Sequence, residues 1–191
     1  MQNIDQDNTA NLIKPPDSIG KTSFRRVSTK SYYVDKTLLI KDVIDKEELV
    51  TLFTRPNLFG KTLNMDMLKV FFEIKNKDTS KYFYDKNIWK CGNIYQNHQG
   101  KYPVIHLTFK DTKLASWNEV YNAILKVIQE EFFRHKVLED SSNLDDNDKE
   151  IYKTYSSNSL LPSESFNALA VLSELLFNRT FPISCTMVGK F

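Results

Sequence analysis

From Thr37 to Lys46 the apolar residues fall in pairs four apart, Leu39 with Val43 and Ile40 with Ile44. This is the spacing of one buried helix face, and it predicts a short amphipathic helix. Immediately afterwards, Leu49-Val50-Thr51-Leu52-Phe53-Thr54 strings together β-branched and large apolar residues without polar alternation. That pattern predicts a strand covered on both faces in a parallel sheet. Arg55 to Gly60 interrupts it as a loop. From Lys61 the period changes again, with Leu63, Met67, Leu68, Phe71 and Phe72 at helical spacing until the charges around Lys75 to Lys77. The segment is predicted as strand, loop, helix.

Further along, Pro103 to Phe109 is a second predicted strand, with proline at its first position, where the missing N–H matters least. Ser116-Trp117-Asn118-Glu119 has the form of a capping box and opens a long helix carrying Val120, Ile124, Val127, Ile128 and Phe132. Asp145 to Tyr155 and Ser163 to Phe177 are two more predicted helices, the second with Ser163 as N-cap after Pro162. Tyr32-Tyr33-Val34 reads as a short extended element. Residues 1–18 are rich in Asn, Asp and Gln and contain Pro15-Pro16, so they are expected to form a disordered lead. The domain is expected over residues 19–178, followed by an atypical tail over 179–191.

Composition narrows the class. With 191 residues, 41% hydrophobic and 13% aromatic, the chain is long enough to bury a core without a metal or disulfide staple. A net charge of +2 gives no argument for a cationic nucleic-acid surface or a polybasic membrane anchor. Cys91 and Cys185 are too few and too far apart for a zinc ribbon, a redox pair or a disulfide framework. Neither a signal-peptide core nor an apolar run long enough for a membrane span is visible. A cytoplasmic protein is the resulting expectation.

Thr54-Arg55-Pro56-Asn57-Leu58-Phe59-Gly60-Lys61-Thr62 places Gly-Lys-Thr at the turn between the predicted strand and helix. A phosphate loop works by aiming backbone N–H groups and a helix N-terminus at a nucleotide. Gly60 would let the backbone approach, Lys61 would reach the phosphates, and the Thr62 hydroxyl would hold Mg²⁺. The usual first glycine is replaced by Arg55, so a tight strand-to-helix turn with a solvated lysine is the competing reading. Gly20-Lys21-Thr22 repeats the triplet without a preceding buried strand and is set aside. Glu73-Ile74-Lys75 spells a nuclease-like Glu-x-Lys but is read as exposed charges at a helix end. His98, His106 and His135 lack ligand spacing, and His106 is expected in or beside the core. Tyr82, Phe83, Tyr84 and Trp89 are read as packing rather than as a base-stacking platform.

The block Thr54-Arg55-Pro56-x-x-Phe59-Gly60-Lys61-Thr62-Leu63-Asn64, with Met67-Leu68-Lys69 and Phe71-Phe72-Glu73, resembles the AAA-ATPase-like family. Ile19-Gly20, Phe24 and Tyr32-Tyr33-Val34-Asp35-Lys36-Thr37 resemble that family's lead-in, and Tyr102 to Ile105 with Phe109-Lys110-Asp111 its next strand. The resemblance implies an α/β P-loop NTPase-like domain, with a parallel sheet flanked by helices and with ATP and Mg²⁺ as ligands. The implied binding residues are Arg55, Phe59, Gly60, Lys61 and Thr62, with Tyr33, Asp35 and Lys36 in the wall of the nucleotide pocket and Thr62 at the metal.

Three departures accompany it. Asn57 and Leu58 stand where the family has two arginines. No Asp or Glu follows Glu174, where the family places its Walker B acids, so hydrolysis is doubtful and the sheet is expected to be incomplete at the C-terminal side; Asp111 is a remote substitute. The PD-(D/E)XK nuclease-like region that often follows in relatives is not in these residues. The expected function is ATP binding. The alternative is a non-catalytic fragment or interaction module with a vestigial loop, prone to self-association or to a protein partner.

Overall fold

The computed structural model describes residues 21–56, 59–75, 77–109, 115–157, 165–180 and 186–190. It is mostly helical. Helices α1 (Phe24–Lys30), α2 (Leu38–Lys46), α3 (Lys61–Phe72), α4 (Asn87–Lys90) and α5 (Asn93–Gln96) precede strand β1 (Val104–Thr108). After it come α6 (Trp117–Arg134), α7 (Asp146–Ser156), α8 (Ala168–Thr180) and strand β2 (Thr186–Lys190). Within the predicted tail, then, β2 pairs in parallel with β1, in a register running from Val104 opposite Thr186 to Thr108 opposite Lys190.

β1 divides two apolar clusters. Val104 joins Phe24, Ile40, Met67, Phe71, Phe83 and Ile88 on one side. Ile105 and Leu107, pointing the other way, join Ile128, Phe132, Leu138, Leu172 and Leu176. Alternation along a strand sends neighbouring side chains to opposite faces, so one short strand serves both clusters.

Local chemistry accounts for the helices. Ser116 and Glu119 form the capping box of α6, with Glu119 N donating to Ser116 Oγ at 3.3 Å and Ser116 N to Glu119 Oε2 at 3.0 Å. Asp145 Oδ1 accepts from Asp148 N at 2.7 Å and starts α7. The expected N-cap Ser163 lies outside the described residues, as do residues 1–20, Asn57, Leu58 and Asp111. Helix α1 escaped the sequence reading. It has only seven residues, with Phe24 and Val27 buried at i,i+3, and its first N–H is met by Asp66 Oδ2 of α3 at 2.7 Å.

One expectation is overturned. Leu49 to Thr54 forms no strand, and Val50 and Leu52 are 82% and 81% exposed, with Phe53 the residue of the run that packs on the first cluster. A strand is held by hydrogen bonds to its edges, and among the described residues no strand pairs with this segment. Composition marks a segment that can be buried on both faces; it does not supply the neighbours. The parallel sheet expected around this loop is accordingly represented by the β1–β2 pair alone among the described residues.

The Tyr32 to Val34 element is likewise irregular, though it alternates as an extended chain would, with Tyr32 and Val34 outward and Tyr33 half-buried.

Candidate functional site

Gly60 sits at the N-cap of α3 with φ 78° and ψ 19°, in the left-handed region that favours glycine. A Cβ there would meet nothing within 4 Å, so backbone conformation is what calls for glycine at this position. The carbonyl of Gly60 accepts the first bond of the helix, from Asn64 N at 2.9 Å, and Gly60, having no side chain, supplies no cap of its own. The first turn carries Lys61 and no acid. The N–H groups of a first helical turn point out along the axis and carry partial positive charge, which together with the ammonium suits an anion.

Lys61 folds back over its own loop. Its Nζ donates to the carbonyl oxygen of Arg55 and, at 3.3 Å, to that of Pro56. The Arg55 guanidinium donates to the Thr54 carbonyl at 3.0 Å, and the side chains of Arg55 and Phe59 are exposed. The structure thus brings Arg55, Gly60, Lys61 and Thr62 together at one turn.

Tyr33, Asp35 and Lys36 make a different set of contacts. Asp35 Oδ1 accepts from Thr37 N at 2.8 Å and Thr37 Oγ1 at 2.7 Å, while Oδ2 accepts from Asn87 N at 2.7 Å. Thr37 Oγ1 in turn accepts from Ile88 N at 3.1 Å. The two side chains therefore cap α4 and fix the entry to α2. Burial alone would raise the Asp35 pKa, but the Thr37 side chain and backbone, the Asn87 amide and the Lys86 charge outweigh it and hold the carboxyl below its ordinary range. Tyr33 donates to Met67 Sδ of α3 at 3.4 Å and accepts from Lys36 N at 3.3 Å. Its hydroxyl is pushed up to about 12, chiefly by burial. Met67 lies five residues beyond Thr62, about 7 Å along the helix axis.

At the other end of α3 is a polar cluster that the sequence reading missed. Glu73, read as an exposed helix-end charge, is 4% exposed. It ion-pairs with Arg134 and, at 2.7 Å, with Lys75. Arg134 also holds Glu131, with Nε donating to Oε2 at 2.8 Å, and Glu131 Oε1 accepts from the His106 backbone at 2.7 Å. The His106 ring is half-buried, and burial first, then the Lys69 charge, lowers its pKa. His135 is buried at 3.2 Å from the Val104 carbonyl. Glu73 and Arg134 are 61 positions apart, so no local spacing could have announced the pair.

Of the aromatic run, Phe83 is core, stacked on Phe24 and edge-on to Phe71. Tyr84 meets Trp89 edge-on. Tyr82 packs on the core from its margin. Among the described residues no helix is long and apolar enough to cross a membrane, and no cluster of three His, Cys, Asp or Glu could hold a metal.

A family model described as a predicted AAA-ATPase matches residues 18–164. No curated protein and no solved structure matches the chain.

Proposed function

The chain belongs to the AAA-ATPase-like family, and from that premise we propose that it binds ATP with Mg²⁺ at the turn that leads into α3. The observation that carries this reading is the left-handed Gly60 at the N-cap of α3, with Lys61 folded over the same loop. Bound Mg²⁺-ATP would supply the phosphate charge and the cation that such a turn is suited to hold. Lys61 would leave the Arg55 and Pro56 carbonyls for the phosphates, the backbone N–H groups at Gly60 and Lys61 would face them, and the Thr62 hydroxyl would reach the cation. Arg55, once released from the Thr54 carbonyl, and Phe59, both exposed beside the turn, would close on the rest of the nucleotide. Asp35 is assigned a structural role, since both its oxygens already serve Thr37 and Asn87.

Calorimetric titration of Mg²⁺-ATP into the wild type and Lys61→Ala tests the proposal. A heat of binding that the substitution abolishes supports it; equal heats, or none for the wild type, would sink it. A second reading, an interaction module with a silent loop, draws support from the exposed apolar run at Leu49, Val50 and Leu52. It requires concentration-dependent association together with an absent nucleotide heat.

A further inference from the structure

A half-enclosed cavity of about 410 Å³ lies at the end of α3 away from Gly60, between the chain after Glu73 and the C-terminal ends of α6 and α8. Its lining includes six cationic side chains, Arg25, Lys75, Lys77, Lys81, Arg134 and Arg179, against two carboxylates, Glu73 and Asp78. Both carboxylates are committed. Glu73 pairs with Arg134 and Lys75, and Asp78 accepts from Ser80 N at 2.8 Å and Ser80 Oγ at 2.7 Å. Among the described residues Arg25, Lys77, Lys81 and Arg179 form no ion pair. Arg25 Nε is buried without a hydrogen-bond partner.

Neighbouring cations crowd one another here. After burial itself, the Arg25 charge is the main influence lowering the Lys75 ammonium. A second, more open cavity of about 460 Å³ shares Arg25, Lys81 and Tyr82 with the first and adds Arg26, Lys30 and Thr29, with no acid in its lining. The basic surface therefore runs continuously through two lobes, with the Tyr82 ring at their junction. A chain of net charge +2 has gathered eight cations along one groove.

We propose that this groove binds single-stranded nucleic acid, its cations meeting the phosphates, with Tyr82, whose ring lies under Lys81 Nζ at 5.4 Å, at the junction of the two lobes. A lone phosphate would engage only a fraction of these cations, whereas a phosphodiester chain repeats its charge at every nucleotide. A basic surface that extends through two adjoining cavities suits such a chain better than a single anion. Helix α3, 12 residues and about 18 Å long, separates the groove from the Gly60 turn, so occupancy of one does not require the other.

Fluorescence anisotropy of a labelled oligo(dT) with the full chain tests the proposal. Binding is expected to weaken with salt at a log–log slope of about −3, the value for four neutralised phosphates. The double variant Lys77→Glu/Lys81→Glu should bind roughly tenfold or more weakly. Neither lysine forms an ion pair among the described residues, so an unchanged circular dichroism spectrum separates this loss from unfolding. Lys126→Glu, on the exposed side of α6, should bind as the wild type does. No anisotropy change at low salt, or equal binding by the double variant, would overturn the proposal. Displacement by equimolar inorganic tripolyphosphate would assign the groove to small polyphosphates and overturn it too.

Discussion

The Arg134 guanidinium, on the last turn of α6, donates to the carboxylate of Glu73, which follows directly on α3, and so ties together the C-terminal ends of two helices that pack against β1. The same guanidinium holds Glu131, which is itself 3% exposed. One cation thus answers two buried carboxylates, one just past the end of α3 and one within α6.

Arg134→Met should therefore destabilise the fold by about 3–5 kcal/mol, the scale for stripping the partner from a buried charge. Urea unfolding measures it. Loss of less than about 1 kcal/mol, the range of an exposed pair, would show that Lys75 and solvent suffice for Glu73.

Gly60→Ala places a Cβ in open space but on a left-handed backbone. We expect a loss of about 1–2 kcal/mol in stability from that conformation alone, together with weaker Mg²⁺-ATP binding. Thermal melting and calorimetry on the same preparation report the two effects separately. Unchanged values in both would show that the turn relaxes without cost.

Asp35 makes stability depend on acidity. Its folded-state pKa lies below the unfolded value of about 3.9, so its contribution is complete above the unfolded value and drains away as pH falls through the folded one. Asp35→Asn should be less stable near neutrality and should flatten the acid limb of the stability curve. A variant with the wild-type acid limb would place that dependence on other carboxylates.

The exposed apolar run should make the protein associate with itself. Leu49→Lys/Leu52→Lys is expected to lower the sedimentation coefficient at high concentration while leaving the melting temperature nearly unchanged, since these side chains contribute little burial. A large drop in melting temperature would mean that the run is buried in solution.

Periodicity made α2, α3 and α6 legible, because each carries an apolar stripe that needs only its own residues to be recognised. The capping pairs at Ser116 and Asp145 were equally local. The Gly60 turn was visible as a triplet, although the direction in which Lys61 folds depends on the loop around it. Leu49 to Thr54 misled because strand formation depends on neighbours that no single segment encodes. The Asp35 carboxylate was singled out, but its partner Asn87 lies 52 positions away. The basic groove was hidden for the same reason, its cations being drawn from Arg25 through to Arg179 and balanced, in the whole-chain count, by acids on other faces.

Because Val104 belongs to one apolar cluster and Ile105 to the other, each cluster packs on its own face of β1. Neither cluster can open without stripping one face of β1 and freeing the strand to rotate out of the second. The amides of β1 should therefore exchange with solvent only through the largest opening the molecule undergoes, as slowly as any in the chain. A perturbation that loosens the packing around Phe71 would then be felt at Phe132, with the strand acting as a common hinge pin.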